Sequence, residues 1–179
     1  MQSELDYAIL PAGPGDAGDL AQVHVRSWQE TYPGILPQAY LDRLSAPLHA
    51  QRWRQRLMNA AEITLVAEGA DGLVGYCSGD WARWKDEPHR LAEVHTLYVL
   101  RRAQGLGLGR RLMTGVARAL AARGATALTV GVLRDNRPAR AFYERMGGVV
   151  ETEHVELVGG TSVAAVDYRW TDLGALVGL

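Results

Sequence analysis

Residues 97–113 read Leu-Tyr-Val-Leu-Arg-Arg-Ala-Gln-Gly-Leu-Gly-Leu-Gly-Arg-Arg-Leu-Met, an apolar strand-like run followed by a turn with alternate glycines and the beginning of a helix. The helix is predicted over residues 107–123, and its apolar stripe is formed by Leu108, Leu112, Val116 and Leu120. Glycines between a strand and a helix let backbone N–H groups converge at the positive end of the helix dipole. This stretch therefore predicts an anion site, with a tight strand-to-helix turn as the alternative.

The charges around this turn favour a polyanionic ligand. From Val94 to Arg134 there is no Asp or Glu, and the arginines in this segment are Arg101, Arg102, Arg110, Arg111, Arg118, Arg123 and Arg134. A P-loop would need Gly-Lys-Ser/Thr, but Arg110 and Arg111 follow Gly109. A dinucleotide fold would need a glycine in place of Arg110 and an acidic residue about 20 positions later. Nucleotide hydrolysis and nicotinamide binding are therefore both disfavoured.

The composition is that of an ordinary globular protein. The chain has 179 residues, 47% hydrophobic and 22% charged, with a formal net charge of -1. These values favour one domain over residues 1–179 and give no reason to expect nucleic acid as a partner. We expect neither membrane insertion nor secretion, because no apolar run is long enough for a span or a leader. Cys77 is the only cysteine, so we expect no internal disulfide, no thiolate-rich zinc site and a cytoplasmic location.

The pattern along the rest of the chain predicts a mixed α/β (α+β) fold without internal repeats. Strands are predicted at residues 7–10, 63–68, 73–81, 92–100, 127–133, 149–158 and 163–170. Helices are predicted at residues 20–31, 38–44, 47–59, 107–123 and 136–146. Residues 69–72 and Gly159-Gly160 are interpreted as hairpin turns, the first with a loop longer than two residues, and residues 85–90 as a polar loop.

Two motifs make the chain similar to the GCN5-related N-acetyltransferases (GNAT). That family carries Gln/Arg-x-x-Gly-x-Gly/Ala after a strand, and Gln104-Gly-Leu-Gly-Leu-Gly109 matches it after Leu97-Tyr-Val99. Its second element, Asn-x-x-Ala-x-x-Phe-Tyr-x-x-x-Gly, is matched by Asn136, Ala139, Phe142, Tyr143 and Gly147. The resemblance covers residues 7–170 and implies a mixed, mostly antiparallel central sheet of six to seven strands flanked by about four helices. Gly148 departs from the family, which usually has Phe there, and we expect it to loosen the start of the following strand.

The resemblance implies acetyl-CoA as co-substrate and no metal. Acetyl-CoA would lie between strands 92–100 and 127–133, which are splayed because they diverge after starting parallel. Its pantetheine arm would pair with the backbone of Leu97 and Val99, and a backbone N–H near Leu97 or Tyr98 would polarise the thioester carbonyl. The pyrophosphate would be bound by Gln104, Gly105, Leu106, Gly107, Leu108, Gly109 and Arg110. Asn136 is expected as a helix N-cap, a coenzyme A contact, or both.

An attacking ammonium must first lose a proton, because it has no lone pair at pH 7. Several family members carry a general-base Glu at the position of Glu93, and strand alternation puts Glu93 on the same face as His95 and Leu97. The alternative for Glu93 is a solvated carboxylate at the end of a strand. His95 would serve as the base directly or through water, or else it is an inward hydrogen-bonded histidine.

The resemblance also implies an acid and an acceptor wall. Tyr143 occupies the family position whose phenol protonates the departing thiolate, and the alternative is a packing aromatic beside Phe142. The family's acceptor wall comes from the segments that contain Trp28, Tyr32 and Trp81, so these are candidate substrate-binding residues. Their alternative role is core packing.

The implied activity is transfer of an acetyl group from acetyl-CoA to a primary amine by direct attack. The acceptor would be a small-molecule amine or a peptide N-terminus, and the sequence leaves its identity open because acceptor pockets on one fold differ locally. The alternatives are a non-catalytic coenzyme A-binding sensor or partner module, and an acyltransferase that uses another acyl-CoA or a hydroxyl acceptor. We expect a homodimer, by analogy with the family and because strands 149–158 and 163–170 offer an apolar sheet edge.

Overall fold

The structure is a computed structural model that describes residues 6–82 and 90–178. The strands are β1 (Ala8–Pro11), β2 (Ile63–Gly69), β3 (Gly72–Trp81), β4 (Leu91–Val99), β5 (Ala127–Leu133), β6 (Val149–Val158) and β7 (Thr161–Trp170). The α-helices are α1 (Ala17–Thr31), α2 (Gln38–Leu41), α3 (Ala46–Leu57), α4 (Leu108–Ala122), α5 (Arg137–Arg145) and α6 (Leu173–Val177). The strand bounds agree with the predicted ones to within two residues, whereas α6 has no counterpart among the predicted helices.

The strands form one sheet in the order β1-β2-β3-β4-β5-β7-β6. Every neighbouring pair is antiparallel except β4 and β5, which are parallel. The predicted mixed, mostly antiparallel sheet of six to seven strands is thereby confirmed. Within residues 6–82 and 90–178, no helix is both long and apolar enough to cross a bilayer.

The two parallel strands separate halfway along their length. β4 and β5 are paired only from Leu91 opposite Ala127 to Val94 opposite Val130. Beyond that point β4 continues beside β3 as far as Val99, while β5 continues beside β7 as far as Leu133. The predicted splay is confirmed, and it leaves an opening between two strands of one sheet.

A β-bulge at His95 changes the direction of side chains in β4. Thr96 lies opposite Ser78 and Val94 lies opposite Gly79, so His95 has no partner of its own on β3. Cross-strand partners share a face of the sheet, and Glu93 lies opposite Asp80. Glu93 is therefore on the face of Thr96, whereas Leu97 is on the other face. The predicted alternation, which put Glu93 on the same face as Leu97, is wrong because the extra residue shifts it.

Both predicted hairpins are present, but the first is tighter than expected. Gly69 pairs with Gly72, so the turn between β2 and β3 contains only Ala70 and Asp71, and the prediction of a longer loop is wrong. In the second hairpin, Gly159 and Gly160 have φ of 59° and 82°, as the favoured two-residue turns require. The predicted polar loop at residues 85–90 lies outside the described residues, apart from Arg90.

Helices cover both faces of the sheet. The predicted stripe of α4 is buried in a core cluster that also contains residues of β4, β5, β7, α5 and α6. On the opposite face, α1 and α3 pack against β3, and the rings of Trp53 and Tyr76 meet edge to face at 5.1 Å. Because α1 and α4 lie on opposite faces, the opening between β4 and β5 connects the face of the sheet covered by α1 with the face covered by α4.

The place beside Gly148 is filled by a tryptophan from another strand. A Cβ atom at Gly148 would lie 2.6 Å from Cζ2 of Trp170 and 3.0 Å from the carbonyl oxygen of Tyr143. Trp170 donates its Nε1–H to the carbonyl oxygen of Met146 at 2.8 Å. Instead of the loosened start that we expected, β6 begins directly at Val149 behind a packed indole.

Candidate active site

A cavity of about 730 Å³ occupies the opening between β4 and β5. Its lining includes most of the predicted site residues: Trp28, Tyr32, Glu93, His95, Leu97, Tyr98, Val99, Gln104, Gly105, Gly107, Leu108, Gly109, Arg110, Asn136 and Tyr143. Leu106 and Trp81 are not among the described residues that line it. Asp80 shares the face of Glu93, so the alternation of β3 directs Trp81 to the other face, where it packs against the core beside α4.

The glycine turn has the geometry of an anion site. Gly105 and Gly107 have φ of 76° and 74°, in the left-handed region that residues with a Cβ adopt at a cost. Gly107 is the N-cap of α4, and the N–H groups of the first helical turn have no partner within the helix. At Gly109, by contrast, a Cβ would lie at an ordinary 3.6 Å from the ring of Phe142. The first two glycines are therefore required by the backbone, and the third is not.

The free edge of β4 presents backbone N–H groups to the cavity. Leu100 donates its N–H to the carbonyl oxygen of Val74 on β3, so the alternation of a strand directs the N–H groups of Leu97 and Val99 away from β3. The side-chain amide of Gln104 donates to the carbonyl oxygen of Val99 at 2.9 Å. The carbonyl group of Val99 therefore also points away from β3. The N–H of Tyr98 points towards β3. Of the two N–H groups predicted to polarise a thioester, only that of Leu97 faces the opening.

Tyr143 is a buried phenol at the cavity wall. Its ring is 6.1 Å from that of Trp170 and 5.8 Å from that of Tyr168, so the side chain is held on one side by aromatic packing. Burial raises the pKa of Tyr143, and the nearby Cys77 and Tyr32 groups raise it further. The phenol therefore keeps its proton at neutral pH and can donate it.

The side chains of Glu93 and His95 are in contact at the end of the cavity that lies near the start of β4. Oε1 of Glu93 lies 3.7 Å from Nδ1 of His95, and both side chains are only partly exposed. His95 is the bulged residue of β4, so the contact lies at the point where the strand register shifts. A carboxylate and an imidazole in contact can accept a proton from an amine that enters from this side.

The acceptor wall is held together by a hydrogen-bonded tyrosine. The hydroxyl oxygens of Tyr32 and Tyr98 are 3.0 Å apart, and both side chains line the cavity together with Asn136. Asn136 is the N-cap of α5, where its Oδ1 accepts the N–H of Ala139 at 3.3 Å. The N-cap role predicted for Asn136 is confirmed. Tyr32, the C-cap of α1, thus links that helix to β4.

A neutral histidine lies behind this wall. Nδ1 of His24 is 2.6 Å from the hydroxyl oxygen of Tyr76, and the His24 ring is 5.3 Å from that of Trp28. Burial lowers the pKa of His24 to about 3, with further contributions from the charges of His49, Arg56 and Arg52. His24 is therefore uncharged at neutral pH and supports the wall as a hydrogen-bonded aromatic.

The cavity also contains residues that the sequence interpretation missed, namely Ile35, Thr96, Gly131, Glu156 and Val158. Thr96 Oγ1 is 2.7 Å from Ser78 Oγ, which accepts a hydrogen bond from Arg56. Alternation along β6 could have placed Glu156 and Val158 on one face, but only the sheet order shows that this face is the cavity side.

In the part of the chain that the structure describes, no group of three or more His, Cys, Asp or Glu side chains is arranged to hold a metal ion.

Comparison with known proteins identifies the family. The family model described as Acetyltransferase (GNAT) family matches residues 23–148. The chain therefore belongs to the acetyltransferase (GNAT) family, which confirms the resemblance carried by the two motifs.

Relatives and solved structures agree with this assignment. The chain is 31% identical over 161 residues to the uncharacterized N-acetyltransferase YuaI of Bacillus subtilis, covering 90% of this chain and 91% of YuaI. It superposes on YncA from Salmonella typhimurium, solved with its cofactor acetyl-CoA, with a TM-score of 0.71, 18% identity and coverage of 94% of each chain. It also superposes on the PaiA N-acetyltransferase of Thermoplasma acidophilum, solved with coenzyme A, with a TM-score of 0.67, 20% identity and coverage of 92% and 99%. These two structures share the fold of the chain.

Proposed function

We propose that the protein is an N-acetyltransferase that transfers the acetyl group of acetyl-CoA to a primary amine. The observation that carries this proposal is the opening between β4 and β5, which leads from the glycine turn to the buried phenol of Tyr143. The binding of acetyl-CoA by YncA and of coenzyme A by PaiA supports this donor, because both proteins have the same fold.

The residues of the turn fit the anionic part of acetyl-CoA. N–H groups of residues 105–110 would bind the pyrophosphate at the positive end of α4, next to Arg110. The N–H groups of Leu97 and Val99 would pair with the pantetheine amides as a strand pairs with a sheet edge. The N–H of Leu97 is then the donor that polarises the thioester carbonyl.

The transfer needs one base and one acid. The acceptor ammonium loses a proton to Glu93, with His95 as the alternative acceptor, and the free amine attacks the thioester carbon. An N–C bond forms and the C–S bond breaks, so the electron pair of that bond leaves with the sulfur. The thiolate takes the proton of Tyr143. The attacking nitrogen gives up a second proton as the amide forms, which restores the phenol and leaves one net proton on the base.

The protonation of Tyr143 favours the role of acid. Its raised pKa keeps the proton on the phenol at neutral pH, so Tyr143 is protonated when the thiolate develops beside it. The thiol pKa of about 8.5 lies below that of the phenol, so the phenol gives up its proton only together with the return of a proton from the attacking nitrogen. A buried tyrosinate would be costly, so proton transfer is completed only when the attacking nitrogen returns a proton. This coupling agrees with direct attack on acetyl-CoA without a covalent enzyme intermediate.

The experiment has two parts. Calorimetry of the purified protein with coenzyme A should detect binding, and Gly107→Glu should abolish it, because a carboxylate at the turn repels the pyrophosphate. Thiol release from acetyl-CoA is then measured with a panel of primary amines, and each product is identified by mass spectrometry. Binding that Gly107→Glu leaves unchanged contradicts the proposed coenzyme site. Binding without acetylation of any amine would instead identify a non-catalytic coenzyme A module.

The predicted homodimer and cytoplasmic location stay predictions. β6 is one of the two outer strands of the sheet, and Val155 and Leu157 on it are 69% and 75% exposed. These exposed side chains agree with the apolar edge on which the dimer prediction depends. Sedimentation at high protein concentration tests it, and a monomer there would contradict it.

A further inference from the structure

A histidine joins two carboxylates on β6 and β7, and one of these carboxylates, Glu156, lines the cavity. Nε2 of His154 lies 3.2 Å from Oε1 of Glu156, and its Nδ1 lies 3.2 Å from Oδ2 of Asp167. Thr152 donates its hydroxyl to the same Oδ2 at 2.6 Å. With two carboxylates and one imidazole, the group has a net negative charge whether or not His154 is protonated.

A glycine on the neighbouring strand opens this group to the cavity. Gly131 of β5 lies opposite Asp167 of β7 and lines the cavity together with Glu156. A Cβ atom at Gly131 would lie 3.2 Å from Oδ1 of Asp167 and 3.9 Å from Oε1 of Glu156. Because glycine leaves that volume empty, both carboxylates border a space that a ligand can enter.

One oxygen in this space has no donor. The side chain of Asp167 is only 8% exposed, and both of its polar contacts are made by Oδ2. Among the described residues, none donates a hydrogen bond to Oδ1, which is the oxygen beside Gly131. Oδ1 is not one of the fully buried polar atoms that lack a partner, so it reaches the space beside Gly131, where a cationic donor brought by a ligand can bind it.

Aromatic rings complete the environment of a cation. Trp28 and Tyr32 line the same cavity, with their rings edge to face at 5.0 Å. Glu156 lines the same cavity, and its negative charge adds to burial in raising the pKa of Tyr32. A carboxylate beside aromatic rings attracts ammonium and guanidinium groups.

The acidic residues Glu93 and Glu156 line the part of the cavity that faces α1 and β6. At the glycine turn the lining contains Arg101 and Arg110, and Arg101 is bonded to Glu30 of the same lining. An acceptor that carried its own carboxylate would be repelled from the part lined by Glu93 and Glu156.

We propose that Glu156 and Asp167, bridged by His154, bind a second cationic group of the acceptor, so that the preferred acceptor is a dication such as a linear diamine. One amine would be acetylated near Tyr143 while the other positive group lies above Gly131. That the dication is acetylated depends on the transferase function proposed above. That its second cationic group binds to Glu156 and Asp167 does not depend on that function.

The test uses linear diamines from diaminopropane to diaminohexane, each with the monoamine and the ω-amino acid of the same length. For at least one length, kcat/KM for the diamine should exceed that for the monoamine by about tenfold, and the ω-amino acid should be the poorest. Glu156→Gln should bring the ratio of diamine to monoamine close to one. Gly131→Ala, which fills the space above the carboxylates, should lower the same ratio.

Glu153→Gln is the matched control, because Glu153 is an exposed acid on the face of β6 opposite to Glu156. This variant should keep the preference for the diamine. Calorimetry of each diamine with coenzyme A-saturated protein gives a second readout, in which Glu156→Gln weakens binding about tenfold. Glu156-dependent binding without any acetylation would support this inference and contradict the transferase. Equal acetylation of diamines and monoamines, or no diamine binding at all, would overturn the inference.

Discussion

The two ends of the cavity are built in opposite ways. The turn end comes from one continuous stretch, in which a strand, a turn and a helix follow within residues 97–113, and its donors are backbone N–H groups. The acceptor end takes Tyr32 from the C-cap of α1, Glu93 from β4 and Glu156 from β6, and its polar groups are side chains. Two left-handed glycines shape the first end, whereas side-chain hydrogen bonds between distant elements shape the second.

This difference explains how each end can serve its ligand. A backbone site depends on φ and ψ angles, so one scaffold can bind the same anion with many different side chains. A side-chain site depends on register, and one inserted residue changes it. The bulge at His95 is an example, because without it Glu93 would point to the face of Leu97 and away from the acceptor wall.

The largest expected effect is at Tyr143, where the two ends meet. Tyr143→Phe keeps the ring but removes the acid, so kcat should fall about 100-fold or more while the affinity for coenzyme A stays nearly the same. Steady-state kinetics and calorimetry measure the two quantities. Tyr168→Phe is the control, since Tyr168 belongs to the same aromatic group but bonds to Glu144 and Arg140 outside the cavity lining. An equal loss in both variants would mean that Tyr143 only packs.

The next effect belongs to the acceptor end alone. Glu93→Gln should lower kcat/KM at least about tenfold at pH 7, and less than Tyr143→Phe does, because His95 lies 3.7 Å away and takes over in part. Activity should recover as the pH approaches the pKa of the amine near 10, where the free amine forms without help. Full activity of Glu93→Gln at every pH would make Glu93 a strand-end carboxylate, and His95→Gln would then be the variant to measure.

A smaller effect concerns the stability of the acceptor wall. The folded-state pKa of His24 is about 3, below its ordinary 6.5, so acid protonates the unfolded chain first. His24 therefore contributes stability above pH 6.5, which is lost progressively as the pH falls towards 3. Between pH 7 and pH 5.5 this loss should be about 1 kcal/mol in the free energy of unfolding. Urea denaturation at both pH values should show that His24→Gln lacks this part of the pH dependence, and an unchanged dependence would contradict a buried neutral His24.

The same contrast decides how much could be predicted from the sequence. The backbone conformation of the turn end could be predicted, because Gln104 to Arg110 are adjacent in the chain and glycine is informative about backbone conformation. Strand positions were equally accessible, since the alternation of apolar residues is local. Nothing local, however, indicated the bulge at His95 or the packing of Trp170 into the place of Gly148.

The acceptor end was only partly predictable for the same reason. Trp28 and Tyr32 could be proposed from the family's layout, but Trp81 was proposed on the same basis and points to the other face. Glu156 and Asp167 lie beyond residue 148, where the match to the family ends. Their proximity to Gly131 depends on the strand order β5-β7-β6, which brings together residues far apart in the chain.

The smallest expected effect separates two glycines of the turn. Gly105 has φ of 76°, and no described atom lies within 4 Å of the place that a Cβ would take, so Gly105→Ala meets conformational strain and no clash. Strain of about 1 kcal/mol would favour a relaxed turn with rotated N–H groups, and calorimetry should show about fivefold weaker binding of coenzyme A. Gly109→Ala adds the same methyl group at a position without positive φ, where the ring of Phe142 lies at 3.6 Å, and its affinity should stay within about twofold. Similar losses in the two variants would contradict this explanation. They would show that coenzyme A needs the room left by the missing Cβ atoms, and that the left-handed backbone of the turn does not determine binding of the anion.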